Sequence, residues 1–214
     1  MNMTDMIKKY PACAILRNIP DDILEDYAGA AYQGGIRLFE VAMNTEHAPR
    51  QINFLRTALP EDAIIGAGTV LTLKDCHEAC TAGASFFLTP SVSEETLNYC
   101  RQLSIPIIPG VMTPSDAALS LKYGCRLLKL FPASCMPPNY IKSLKGPFPD
   151  TDYIAVGGVS PANLHDFLRQ GYIGAGIGSS LFPQTYLTTK NWPAAAEYLT
   201  HFLSPLQSIQ KTPS

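Results

Sequence analysis

The chain lacks an excess of either charge, a long apolar run and any stretch of low complexity. Lys and Arg total 16 and Asp and Glu 18 in 214 residues, a formal net charge of -2. The basic residues are scattered rather than clustered, so no polyanion-binding face and no nucleic-acid partner are expected. Apolar stretches such as Ala63-Ile-Ile-Gly-Ala-Gly-Thr-Val-Leu71 fall far short of the roughly 20 residues that span a bilayer, and no membrane partner is expected either. Met1-Asn-Met-Thr-Asp-Met-Ile-Lys-Lys9 has neither the apolar core nor the cleavage site of a secretory signal. Zinc-site spacing is missing too. Cys76 and Cys80 stand i and i+4 on a helical stretch, but His77 between them points about 100° off their shared face and no second ligand pair follows. No metal and no cofactor are expected. The cysteines at 13, 76, 80, 100, 125 and 135 lie mostly in apolar or helical stretches, which suits reduced packing residues in a cytoplasmic protein.

What is present is a regular alternation. With 46% hydrophobic and 16% charged residues, the chain can bury a full core, and one domain over 1–214 is expected. Short apolar runs fall at Ala12-Arg17, Leu38-Asn44, Ala63-Val70, Phe86-Pro90, Ile105-Val111, Leu127-Ala133, Tyr153-Val159 and Gly174-Ser180. Helical stretches follow them near Asp21-Gln33, Glu46-Ala58, Leu73-Ala82, Ser93-Leu103, Pro114-Tyr123, Pro138-Lys145, Pro161-Arg169 and Pro193-Leu203, with a short N-terminal helix about 1–11 and a tail about 205–214. Thr113-Pro114 and Ser160-Pro161 read as hydroxyl N-caps before a first-turn proline. Gly83, Gly124 and Gly171 read as left-handed helix stops. Such alternation forces parallel pairing, and eight units averaging roughly 27 residues fit a (β/α)8 barrel. The structural alternative is an open doubly wound sheet. That fold usually carries a glycine-rich turn after its first strand, whereas this chain has Arg17-Asn-Ile-Pro20 there.

Charge inside the apolar runs marks the candidate chemistry. Lys129 is the lone cation in Leu127-Leu-Lys-Leu-Phe-Pro132, and Glu40 is the lone charge in Leu38-Phe-Glu-Val-Ala-Met43. A buried, unpartnered ammonium tends to lose its proton, and a neutral amine attacks carbonyls to form a Schiff base. Period-two alternation places Glu40, Ala42 and Asn44 on one face and Leu127, Lys129 and Phe131 on another, both aimed into a barrel. Two blander readings stand beside this one: a snorkelling lysine on an edge strand, and a structural Glu40–Lys129 ion pair. Strand ends also carry Arg17, which suits bidentate capture of a carboxylate or else is a surface arginine, together with Thr69 and Thr89. Gly157, Gly158, Gly178, Ser179 and Ser180 end the last two strands. Loops there hold phosphate in many barrels, although such glycines also serve tight packing alone.

Glu40, Gly66-Ala-Gly-Thr-Val-Leu71, Lys129-Leu-Phe-Pro-Ala133 and Gly157-Gly158 together resemble the 2-keto-3-deoxy-6-phosphogluconate (KDPG) aldolase family, with similarity from about Ala12 to about Phe182. The resemblance implies a TIM barrel of the class I aldolase type. Its substrate would be a phosphorylated 2-keto-3-deoxy acid, split to pyruvate and glyceraldehyde 3-phosphate. It further implies Lys129 as Schiff-base former, Glu40 as acid and base, Thr69 and Arg17 as substrate-binding residues, the glycine-rich ends as phosphate site, and a homotrimer. Asn44, Thr89, Pro90, Phe131 and Val156 complete the implied substrate contacts. Many KDPG aldolases have arginine in place of Asn44 and threonine in place of Val156. These two residues, with Ala14-Ile-Leu-Arg17 and Tyr140-Ile-Lys-Ser-Leu-Lys145, look more like the branch acting on the 6-phosphogalactonate epimer (KDPGal).

Overall fold

The inward-facing glycines of one strand and a proline in another decide how this barrel is built. The computed structural model describes residues 2–209. Nine parallel segments form one ladder: β1 (Ala12–Leu16), β2 (Leu38–Ala42), β3 (Ile64–Gly68), β4 (Phe87–Leu88), β5 (Ile107–Ile108), β6 (Gly110–Val111), β7 (Leu127–Leu130), β8 (Asp152–Val156) and β9 (Gly174–Ile177). They pair in the order β5-β4-β3-β2-β1-β9-β8-β7-β6. The two ends of this ladder are one stave of the barrel, because only Pro109 separates β5 from β6. Proline has no N–H to give the ladder, but its carbonyl accepts from the Lys129 N–H at 2.9 Å. The ring thereby comes to near closure on eight staves, and the open-sheet alternative is excluded.

Alternation along the staves sorts two cores. Ala14, Leu16, Phe39, Val41, Leu128, Leu130 and Ala155 face outward into the layer shared with the helices. Cys13, Ile15, Leu38, Phe86, Leu88, Ile108, Leu127, Ile154 and Val156 fill the barrel interior. On β3 the inward positions are Gly66 and Gly68. A Cβ on Gly66 would sit 2.6 Å from the Phe86 ring, and one on Gly68 would overlap the Glu40 carboxyl at 1.5 Å. The missing side chains are the space that Phe86 and Glu40 occupy.

Helices α2 (Asp21–Gln33), α3 (Ala48–Ala58), α4 (Leu73–Thr81), α5 (Glu94–Gln102), α6 (Pro114–Lys122), α7 (Tyr140–Lys145) and α8 (Leu164–Arg169) alternate with the staves. α1 (Met3–Lys9) places Ile7 in the interior cluster, against the place where a Gly174 side chain would stand. Thr113 caps α6 in a reciprocal capping box with Asp116, as its sequence suggests. Gly83, Gly124 and Gly171 all have positive φ at helix ends.

Several boundaries differ from the expected ones. β2 stops at Ala42, so Asn44 lies in the following turn and is exposed rather than aimed into the barrel. Ser160 opens a turn whose carbonyl accepts from Leu164 N–H, and α8 starts at Leu164 rather than Pro161. α9 (Gln184–Thr189) was unforeseen, and α10 (Trp192–Ile209) runs on through part of the expected tail, despite Pro205. The rest of that tail, 210–214, and Met1 lie outside the described residues.

Gly110 and Gly29 make a paired test of this packing. A Cβ on Gly110 would stand 2.5 to 2.6 Å from the Thr89–Pro90 backbone, whereas one on Gly29, inside α2, meets nothing within 4 Å. Urea titration is expected to show Gly110→Ala destabilised by about 1–3 kcal/mol and Gly29→Ala stabilised by about 0.5–1 kcal/mol.

Candidate active site

Lys129 sits on β7 between β6 and β8, opposite Gly110 and Ile154, and is 4% exposed. It is therefore no edge-strand lysine with its head in water. Glu40 on β2 is 1% exposed, and its Oε2 is buried without a hydrogen-bond partner. Neither residue joins an ion pair within 4.0 Å among the described residues, so the tight structural pair is not what the barrel contains.

Burial dominates both ionisations. It pulls the Lys129 amine below the ordinary lysine range, against the opposing pull of Glu40, while the Arg17 cation pushes the same way as burial. Burial raises the Glu40 carboxyl, with Lys129 and Arg17 only partly opposing. Both shifts favour uncharged forms, an amine with a free lone pair and a carboxyl that holds a proton. Cys13, on the inward face of β1, has a thiol driven well above its normal range by the same burial, which disfavours the thiolate. The Phe131 ring centroid lies 5.2 Å from Lys129 Nζ, at the outer end of β7.

Arg17 follows β1 directly, is exposed, and donates from Nη2 to Thr69 Oγ1 at 3.1 Å. Thr69 follows β3 with φ of 55°, a region that a β-branched residue rarely enters. Val156 is buried at the outer end of β8, beside Ile15 and Gly176. Thr89 is placed differently from its neighbours. Its buried hydroxyl donates to Ser91 O at 2.7 Å and accepts from Gly110 N–H at 3.2 Å. That hydroxyl is already committed to the turn at Pro90, whose backbone packs on Gly110.

The glycine-rich ends form one rim. Gly157 and Gly158 have φ of 92° and 75°; a Cβ on Gly157 would press on Pro132 at 3.1 Å, and one on Gly158 would strike the Ser134 side chain. Close approach of the Lys-Leu-Phe-Pro segment thus demands the glycine pair. Ser180 Oγ donates to Val159 O at 2.6 Å, tying this turn to Gly178-Ser179-Ser180. No helix begins at either turn: α8 and α9 start several residues later, so an anion there would meet loop N–H groups instead of a helix end.

Three features escaped the sequence. Thr45 is buried and accepts from Asn18 N–H, and nothing periodic marks a turn residue. Ser134 packs on Gly158 through a turn at Ala133–Cys135. Cys13 lines the interior, as its period-two relation to Ile15 signals. The pair Cys76 and His77 divides between the helix layer and solvent. Among the described residues, no three His, Cys, Asp or Glu side chains converge in a way that could hold a metal ion. A groove of about 850 Å³ beside Leu73, His77 and Thr81 shares no residue with the mouth.

An amine lowered and a carboxyl raised by burial in one barrel interior, below the Arg17 guanidinium, fit the chemistry of a lyase of the Schiff-base type. Residues 3–197 match the family described as KDPG and KHG aldolase. The chain is 32% identical over 200 residues to 2-dehydro-3-deoxy-6-phosphogalactonate aldolase of Escherichia coli (strain K12), covering 93% of this chain and 98% of that one. It is 37% identical over 157 residues to the KHG/KDPG aldolase of the same organism, covering 73% of each. Its fold superposes on KDPG aldolase from Legionella pneumophila, solved with pyruvate captured as a covalent carbinolamine intermediate. There the TM-score is 0.85 at 27% identity, covering 95% of this chain and 98% of that one. The chain belongs to the KDPG and KHG aldolase family, and it is a metal-independent class I carbon–carbon lyase.

The opposing effects on Lys129 give a signed test. Titration of the Lys129 side chain followed by NMR is expected to have its midpoint below the free-lysine value of about 10.4. Removing the Arg17 charge in Arg17→Ala should move that midpoint up, and Glu40→Gln should move it down. Stability follows with a definite sign. Between the lowered folded value and about 10.4 the unfolded chain holds more protons, so the penalty for burying Lys129 shrinks as pH rises through that window.

Proposed function

We propose that this aldolase cleaves a 2-keto-3-deoxy-6-phospho sugar acid to pyruvate and glyceraldehyde 3-phosphate, with Lys129 as the Schiff-base former and Glu40 as the acid and base. The observation that carries this reading is the lysine amine, buried in the barrel and held below its ordinary pKa beside a carboxyl held above its own. Neutral Lys129 attacks the C2 ketone. Glu40 assists the proton transfers by which the carbinolamine loses water to become an iminium. Glu40, now a carboxylate, takes the C4 hydroxyl proton, directly or through one water. The C3–C4 bond breaks, its electron pair passes into the iminium to give an enamine, and the aldehyde departs. Protonation at C3 and hydrolysis return pyruvate and the free amine.

The remaining roles follow from placement. Arg17 and Thr69 bind the carboxylate end of the keto acid at the mouth. Phe131 and Val156 line the path above Lys129, with Asn44 at the rim, while Thr89 and Pro90 shape the wall. The turns at Gly157-Gly158 and Gly178-Ser179-Ser180 take the phosphate. Among the described residues Phe54, Leu71, Leu73, Leu103, Met112 and Phe131 are large apolar side chains left exposed. A homotrimer would cover part of that surface, and light scattering after size exclusion tests it. The six unpaired cysteines fit a cytoplasmic protein.

Borohydride with pyruvate is expected to leave one reduced adduct, mapped by peptide mass spectrometry to Lys129. An adduct on Lys122, Lys142 or Lys145 overturns the assignment. A barrel isomerase or a sugar-phosphate sensor would trap nothing. Glu40→Gln should still form the adduct, slowly, while turnover falls by about 10² to 10⁴. Ser180→Ala should impair cleavage of the phosphorylated acids more than that of 4-hydroxy-2-oxoglutarate. Equal impairment would displace the phosphate site.

Epimer choice is the second test. A threonine hydroxyl beside the substrate C4 oxygen could donate a hydrogen bond that buried Val156 cannot, worth about 0.5–1.5 kcal/mol or up to roughly tenfold in rate. The galactonate epimer is therefore expected to be cleaved at least as well as the gluconate one, and Val156→Thr to move the kcat/KM ratio towards gluconate. A strong gluconate preference in the unaltered protein refutes this.

A further inference from the structure

The turn that carries Arg17 is held in an uncommon backbone conformation by a residue outside the site. Asn18 has φ of 54°, in the left-handed region that non-glycine residues seldom occupy. Its N–H donates to Thr45 Oγ1 at 3.0 Å. Thr45 is 7% exposed and stands in the turn after β2, whose strand bears Glu40. Its own backbone is fixed independently of the hydroxyl, by Thr45 N–H to Ala42 O at 2.8 Å and Ala48 N–H to Thr45 O at 3.2 Å. A few residues on, the buried Gln51 side chain donates to Ile19 O at 2.9 Å and to Asp21 Oδ1 at 2.7 Å. The root of the Arg17 turn is thus clamped from the β2–α3 segment, and the guanidinium tip is met by Thr69 Oγ1 at 3.1 Å.

We propose that Thr45 is a positioning residue for Arg17: its hydroxyl holds Asn18 in the left-handed conformation that aims the guanidinium across the barrel mouth towards the substrate carboxylate. This rests on the reading of Arg17 as the carboxylate-binding residue. Thr45 touches neither Lys129 nor Glu40 by any hydrogen bond, so its contribution passes through the turn. Without the hydroxyl, the Asn18 N–H loses its acceptor in a half-buried place and the turn relaxes away from its uncommon φ. Arg17 then samples directions that miss the carboxylate. Binding of ground state and transition state suffers alike, which raises KM and spares kcat.

The test is a double-mutant cycle read by the KM and kcat of the phosphorylated keto acid and by the pyruvate concentration that half-saturates borohydride trapping. Thr45→Val should raise KM and the half-saturating pyruvate concentration about tenfold with kcat within about threefold, and Thr45→Ser should restore both. In an Arg17→Ala background, Thr45→Val should add less than about twofold, because the group it positions is gone. Thr45→Ala, smaller than the native side chain, serves the same cycle if valine does not fit. An equal KM penalty with and without Arg17 overturns the positioning role while leaving the Arg17 assignment standing. An Arg17→Ala variant that binds pyruvate normally overturns that assignment and this proposal with it.

Discussion

The structure depends on keeping an amine and a carboxyl out of water without letting them join in a tight ion pair. Lys129 and Glu40 share one interior and feel one another, yet for each the loss of solvent outweighs the partner's pull. A contact pair in that interior would strengthen the pull of Glu40 that raises the lysine pKa and work against the effect of burial. Placement on β2 and β7, opposite staves of the barrel, with carboxyl Oε2 left unpartnered, leaves burial as the larger effect on both groups. The unsatisfied oxygen is thus a cost that the surrounding fold sustains.

Space for that arrangement comes from side chains that are missing. Gly66 and Gly68 leave the inward face of β3 bare where Phe86 and the Glu40 carboxyl stand. Gly157 and Gly158 let the Lys129-Leu-Phe-Pro132 segment approach the β8 end, and Gly110 lets the Thr89–Pro90 backbone come within contact of the broken stave. The glycines proposed to take phosphate therefore already have a packing task. The two readings of glycine-rich strand ends are compatible, since the close approach that excludes a Cβ also leaves backbone near the mouth uncovered.

Much of this was legible in the chain itself. Strict alternation of apolar runs and helical stretches is a strong signal, and the barrel, its parallel sense and the inward aim of Lys129 and Glu40 follow from periodicity alone. Legibility failed where no period operates. Asn44 was extrapolated along β2 beyond the point where the strand ends. Pro109 breaks a stave that reads as continuous, because a proline carbonyl serves the ladder even though its nitrogen cannot. Thr89 is legible as a polar strand-end residue, but its commitment to Ser91 and Gly110 depends on a neighbouring stave. Thr45 carried no signal, since its partner Asn18 lies 27 residues away in a different turn.

Rigidity and strain divide along the same line. The lower barrel is closed by Ile7 and ordinary apolar packing. Left-handed residues other than glycine gather mainly in turns beyond the strand ends: Asn18 after β1, His47 after β2 and Thr69 after β3. Each adopts a conformation that an unrestrained chain would leave, so each must be held by neighbours. Asn18 is held by Thr45, while Thr69 meets the Arg17 guanidinium. The first three strand ends are thereby coupled: Arg17 reaches Thr69, and its turn is anchored to the segment after Glu40. The turn that carries Arg17 is tied to the segment that follows the Glu40 strand, so the groups proposed to bind substrate and to transfer protons share one frame.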